Sequence, residues 1–158
     1  MTDLPPENVQ SYPRPPLLER VPHEVRVLVA GQVLAQTRAA WRVCETHHPP
    51  SYYLPLADVA PGALTPSRRQ SWCEWKGRAA YYDLDWQGRR VAGAAWSYPD
   101  PTPGFAPIRS HVAIYATAVD EAWVGNLRVQ PQPGDFYGGW VTPNLTGRIK
   151  GPPGTEGW

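Results

Sequence analysis

The chain has 158 residues, 42% of them hydrophobic, and sets 15 basic against 14 acidic side chains for a formal charge of +1. That length is one domain with room for a sizeable core. The charge balance excludes the strongly basic face selected by nucleic acid or an anionic membrane. Eight Trp and eight Tyr stand against two Phe, which suits half-wet pockets, because Trp and Tyr join an apolar body to a hydrogen-bonding tip.

Residues 1–23 read as a proline-rich N-terminal arm with little hydrophobic periodicity. The start lacks the basic and apolar regions of a signal peptide, and no apolar run reaches the roughly 20 residues needed to span a bilayer. Cys44 and Cys73 form no CxxC pair, so both read as free thiols of a reducing compartment. A cytoplasmic location is expected.

Residues 24–130 read as a β core. Val25, Val27 and Val29 alternate with Arg26 and Leu28, a turn follows at Gly31-Gln32, and Val33 to Thr37 returns. Trp41 to Glu45 alternates again, and Ser51 to Leu54 is short and aromatic. Ala79–Trp86 and Arg89–Tyr98 flank Gln87-Gly88, a hairpin signal. His111–Thr117 and Ala122–Val129 close the series, with short helical turns near Leu56–Val59 and Phe105–Arg109. The pattern predicts a mainly β fold: a single compact barrel-like or sandwich domain of about eight short strands with one or two short helices. Trp41, Val43, Tyr82, Val91 and Ile114 are the expected core. Residues 131–158 form a Gly/Pro-rich tail carrying Phe136, Tyr137, Trp140, Val141, Leu145, Ile149 and Trp158. That tail is expected to wrap the core, with Trp140 and Trp158 against folded protein at the pocket mouth or on a second copy.

Side chains at i, i+2 and i+4 of a strand share a face, so Trp41 and Val43 carry Glu45 inward. A buried carboxylate needs a partner. Glu45 therefore reads either as a strand-end group bonded to backbone amides, Arg38 or Lys76, or as a pocket acid/base. Lys76, between Trp75 and Gly77, reads either as a solvated turn lysine or as an anchor for a phosphate or carboxylate. A two-residue Gln87-Gly88 turn sets Asp85 opposite Arg90, Tyr81 opposite Ala94 and Ala79 opposite Trp96. Tyr81 and Trp96 then share a face opened by Ala79, Ala92 and Ala94, which makes either a packed layer or a slot. The candidate catalytic set is Glu45, Lys76 and Tyr81. The candidate ligand-binding set is Arg38, Tyr53, Trp75, Trp96 and Tyr98. His47-His48-Pro49-Pro50 lacks metal-ligand spacing, and His23 and His111 are isolated. No metal and no cofactor are expected. GxSxG, GxGxxG and GxxxxGK are all absent.

Val25-Arg26-Val27, Val43-Cys44-Glu45-Thr46, His48-Pro49-Pro50, Tyr52-Tyr53-Leu54-Pro55, Cys73-Glu74-Trp75-Lys76-Gly77 and Ala94-Ala95-Trp96-Ser97-Tyr98-Pro99-Asp100-Pro101 together resemble the bacterial and fungal "domain of unknown function 427" family, also labelled nucleotidyltransferase-like. The resemblance spans about residues 24–118, and the Gly/Pro-rich end resembles the tail of longer members. It implies a compact, mainly β domain. The label implies paired metal-binding acids and a Gly-Ser phosphate loop. Asp83-Leu84-Asp85 is the one DxD in the chain, and Gly-Ser does not occur.

The leading expectation is a β domain with an aromatic-lined pocket for a small organic ligand, used for binding or for turnover. A non-catalytic protein-interaction module and a metal-dependent nucleotidyltransferase are the alternatives. Nucleic acid and membrane are not expected partners, and a homodimer is an open expectation.

Overall fold

Two tight hairpins frame the fold. Ala30-Gly31 and Gln87-Gly88 occupy their tips with φ of 52°, 73°, 50° and 78°, the left-handed pair that matches the twist of the flanking strands. The first turn thus sits one residue earlier than the Gly31-Gln32 read from the sequence. The computed structural model describes residues 4–134, 137–152 and 154–155. Among them are fifteen strands: β1 Glu7–Asn8, β2 Leu17–Arg20, β3 Val25–Val29, β4 Gln32–Thr37, β5 Trp41–Cys44, β6 Ser51–Pro55, β7 Leu64–Cys73, β8 Gly77–Trp86, β9 Arg89–Ser97, β10 His111–Ile114, β11 Glu121–Val124, β12 Leu127–Arg128, β13 Gln130–Pro131, β14 Trp140–Val141 and β15 Leu145–Thr146. The helical elements are single 3₁₀ turns at Val9–Ser11, Leu56–Asp58 and Ala116–Ala118, and a six-residue 3₁₀ stretch at Pro103–Ile108 kinked at Phe105. No helix among the described residues is long and apolar enough to cross a membrane.

A seven-stranded sheet runs β2-β5-β6-β10-β9-β8-β7, and a four-stranded sheet runs β12-β11-β3-β4. The arrangement is sandwich-like and mainly β, with open edges rather than a closed barrel. One core cluster gathers Val25, Val27, Leu34, Leu54, Leu84 and Ile114, all at most 2% exposed. A second, aromatic cluster gathers Val43, Tyr53, Tyr81, Trp96, Tyr98 and Phe105. Of the expected core, Val43 and Ile114 are buried. Trp41, Tyr82 and Val91 are only half-buried and pack against the edges of the clusters.

The strand count exceeds about eight for a physical reason. β7 is an edge strand of ten residues, polar and interrupted at Pro66, with a register shift between Pro66 and Gln70. An edge strand needs no alternation and tolerates proline, so it left no periodic trace. β2 lies within the proline-rich arm and pairs antiparallel with β5. β1 pairs parallel with β15, bringing the two ends of the chain together. Arg42 lies beneath this junction, donating from Nε to Glu19 at 2.6 Å and from Nη2 to Glu7 at 3.0 Å. Trp140 is 1% exposed, stacks on Tyr52 at 5.3 Å and donates from Nε1 to the Ile114 carbonyl at 2.8 Å. It therefore fills the first core cluster rather than the pocket mouth. Phe136 and Trp158 lie outside the described residues.

Candidate ligand-binding cavity

The aromatic cluster lies mainly on strands of the seven-stranded sheet and borders a cavity. Val43 on β5, Tyr53 on β6, Trp96 on β9, Tyr81 on β8 and Ser71 on β7 line a cavity of about 410 Å³. Trp96 lies opposite Ala113 of β10 on one side and Tyr81 of β8 on the other. Small Ala79 and Ala113 sit in the same cluster. The hairpin turn alone would set Tyr81 opposite Ala94. Between Tyr82/Ala95 and Leu84/Val91 the register slips, so Tyr81 meets Trp96 directly. Ala92 is exposed and Ala94 packs into the other core cluster, so neither opens the aromatic face as expected.

The hydroxyls of this face are paired within it. Trp96 Nε1 donates to the Tyr53 hydroxyl at 3.2 Å, and the Ser71 and Tyr81 hydroxyls are 2.9 Å apart. Burial pushes the Tyr53 and Tyr98 phenols up and raises Tyr115 to about 12, because the charged form loses water. These rings therefore act as neutral walls and hydrogen-bonding groups at ordinary pH.

Lys76 closes the β7–β8 end. It is 8% exposed, its Nζ donates to Cys73 Sγ at 3.1 Å, and it stands 5.4 Å from the Tyr98 ring centre and 5.8 Å from that of Phe105. The loop holding it is pinned from the far side, where Thr102 donates from Oγ1 to the Trp75 carbonyl at 2.7 Å and from its backbone N–H to the Lys76 carbonyl at 3.1 Å. Among the described residues no carboxylate forms an ion pair with Lys76.

Glu45 lines the cavity at half burial, just past the end of β5. Its ion-pair partner is Arg14, at 3.1 Å from Nε, and Arg14 Nη2 also donates to the Thr46 carbonyl at 3.1 Å. That corrects the expected pairing with Lys76, Arg38 or backbone amides. The arm returns across the end of β5 and supplies the cation, a contact that no local spacing encodes. Arg38 is far from this face: it is exposed on the turn after β4 and lies 3.8 Å from Glu24. It does not line the cavity, whereas Tyr53, Trp75, Trp96, Tyr98, Glu45, Lys76 and Tyr81 do.

The remaining wall comes largely from the tail that was expected to wrap the core, through residues the sequence did not single out for the cavity. Residues Tyr137, Gly138 and Gly139 pass over Trp96 and complete the lining with His48, Gln132 and Lys150. Gln132, 4% exposed, binds this segment together. Its Nε2 donates to the Lys150 carbonyl at 2.8 Å and lies 3.1 Å from His48 Nδ1, while its Oε1 accepts from the Gly139 N–H at 3.0 Å. Burial pushes His48 down to about 4; Glu45 opposes that, and the Lys150, Arg14 and Lys76 charges add to it. His48 is thus neutral, with Nδ1 accepting from Gln132. Its sequence signal, His47-His48-Pro49-Pro50, was legible as a failed metal motif and as part of the family resemblance, not as a cavity wall.

Asp83 and Asp85 do not reach the cavity. Asp83 Oδ1 accepts the Gly93 N–H at 2.8 Å, and exposed Asp85 sits 3.7 Å from Arg90. Among the described residues no group of three His, Cys, Asp or Glu side chains is placed to hold a metal.

Residues 17–125 match the family model described as "Domain of unknown function (DUF427)". The chain belongs to that family. None of the curated proteins matches it.

Proposed function

We propose that this domain binds a small, planar organic anion in the aromatic cavity, with Lys76 as the anchor of the acidic group. One observation carries the reading: an ammonium that is 8% exposed faces a cavity with a thiol and two ring faces around it, and among the described residues no carboxylate forms an ion pair with it, Glu45 being paired with Arg14. Taking a cation out of water costs several kcal/mol unless it is paired, and ring faces return only part of that. A carboxylate or phosphate on the ligand supplies the missing charge. The faces of Trp96, Tyr53 and Tyr98 supply an apolar slot for a flat body. The Arg14–Glu45 pair marks a second polar end. If the ligand is turned over, Glu45 is the acid/base and the Tyr81 hydroxyl the second polar contact to the reacting group. Asp83 is committed to a backbone N–H and Asp85 to Arg90, which weighs against routing chemistry through the DxD.

The test is a set of matched ligands. Aromatic carboxylates are titrated beside their primary amides, with intrinsic Trp fluorescence as the signal. The carboxylates are expected to bind more tightly, and Lys76→Met to weaken them by roughly 10- to 100-fold, the worth of a hydrogen bond to a charged group. Equal binding of acid and amide overturns the anion reading.

A further inference from the structure

Cys73 ends β7 and Lys76 directly precedes β8, so a tight turn sets the two side chains together, with Nζ 3.1 Å from Sγ. Lys76 is confined between this sulfur and the rings of Tyr98 and Phe105. Cys73 is half-buried and lines the cavity, so a small oxidant entering the cavity reaches it. The second cysteine is an internal contrast: Cys44 is 0% exposed, and burial raises its thiol to about 12.

We propose that Cys73 and Lys76 are an oxidative coupling site, at which a small hydroperoxide converts the pair into a sulfur–nitrogen link. The Cys73 sulfur attacks the peroxide, the O–O bond breaks, and a sulfenic acid and one water form. Sulfur is oxidised by two electrons and the peroxide is reduced. Lys76, having released a proton to solvent, attacks that sulfur through the Nζ lone pair. The S–O bond breaks, and the hydroxyl leaves as a second water with a proton from the nitrogen. One thiol, one ammonium and one hydrogen peroxide thus give one sulfenamide, two waters and one proton. Sulfenic acids condense with thiols and backbone nitrogen in the same sense. An excess of added thiol reverses the link, returning thiol and amine and forming an external disulfide. The coupling itself does not depend on the ligand. Its consequence does rest on the anion reading: the cation that anchors the ligand disappears.

The full chain is treated with hydrogen peroxide, alkylated, digested with trypsin and mapped by mass spectrometry. Coupling blocks cleavage after Lys76, so the expected product is a peptide spanning residues 70–78, lighter than its reduced form by two hydrogens and restored by dithiothreitol. Lys76→Arg, which keeps the charge but not the amine, is expected to abolish it; thermal melting of Lys76→Arg and Cys73→Ser establishes that both remain folded. Cys73 carried on to sulfinic acid with cleavage after Lys76 intact overturns the proposal, as does Cys44 reacting as fast as Cys73 or Cys73 left unoxidised. Coupling that leaves aromatic-carboxylate binding unchanged overturns the anion reading and leaves the coupling standing.

Discussion

Tyr81 lies directly opposite Trp96 across β8 and β9, although the turn at Gln87-Gly88 counts it opposite Ala94. The slip is two residues, which preserves which face each side chain points to, since strand side chains alternate. It is made at Gly93, whose φ is +63° and whose N–H is taken by Asp83 Oδ1 at 2.8 Å. The aromatic wall of the cavity is thus set by a bulge some distance along the strand from the rings it aligns.

That relationship predicts a coupled loss. Gly93→Ala forces a side chain into the left-handed region, at a cost of about 1–2 kcal/mol, and its Cβ would come 3.3 Å from the flexible Arg69 side chain. Asp83→Ala orphans the Gly93 N–H, at about 1–3 kcal/mol. Both variants are expected to unfold at lower denaturant and to shift the Trp fluorescence of the folded state. Wild-type midpoints in both would show that the bulge does not hold the register.

How far the site could be read from the sequence follows the same logic. Tyr81 and Trp96 could be placed on one face by parity alone, because a two-residue slip leaves parity untouched. Lys76 and Trp75 came from a local turn. Glu45 was legible as inward-leaning, but its partner Arg14 arrives from the arm, 31 positions away, and no period connects them. Arg38 was misjudged because proximity in sequence to β5 stood in for proximity in space. His48, Gln132 and Gly138 form a wall through contacts between distant segments, such as the pair 84 positions apart at Gln132 and His48. Contacts of that range leave no spacing to read. The same holds for β7, an edge strand whose polar sequence reflects solvent on its free side.

His48 gives a pH prediction. Its folded value, lowered to about 4 from an ordinary 6.5 by burial, means that the unfolded chain binds the proton first as pH falls. Stability from the neutral ring is therefore full above about 6.5 and is lost between about 6.5 and 4, a swing of about 3 kcal/mol if this group acts alone. Glu45, Lys150, Arg14 and Lys76 are the charges around it. Denaturant midpoints measured across that window are expected to fall, and His48→Gln to flatten the profile. An unchanged slope in His48→Gln assigns the acid sensitivity of that window elsewhere, whereas a further fall below about pH 4.5 belongs to Glu7. Burial works to raise the Glu7 carboxyl, but the Arg42 and Tyr12 hydrogen bonds and the Arg42 charge hold it below its usual range, so its contribution is present above about pH 4.5 and lost below.

Gly138 tests the wall over Trp96. A Cβ there would lie 2.4 Å from the Trp96 ring and 2.9 Å from that of Tyr115, closer than any real contact. The backbone must lift or the indole must turn. Gly138→Ala is expected to lower the melting temperature, since Gly139 and Trp140 hold the segment next to the clash, and to change aromatic-carboxylate affinity several-fold. Wild-type affinity together with wild-type melting would mean that the segment does not close the site.

Trp140 shows what the same segment contributes to the core. Its indole stacks on Tyr52 at 5.3 Å, its Nε1–H meets the Ile114 carbonyl at 2.8 Å, and its backbone N–H meets the Pro50 carbonyl at 2.9 Å. Residues rich in Gly and Pro pay a high entropy to be ordered and form few ladder bonds, so a single deeply buried anchor decides whether the segment docks. Trp140→Ala removes a fully buried large side chain, worth about 3–5 kcal/mol. Trp140→Phe keeps most of the stack but leaves the Ile114 carbonyl without its donor, at about 1–3 kcal/mol. In the Ala variant the segment should also become sensitive to protease between Gln132 and Lys150, because Gln132 loses the geometry that ties it to Gly139 and the Lys150 carbonyl. In the Phe variant cleavage should stay slow. Equal protease resistance and equal denaturant midpoints in Trp140→Ala and the parent chain would show that docking is held by the Gln132 hydrogen bonds alone, and Gln132→Ala would then be the variant that releases it.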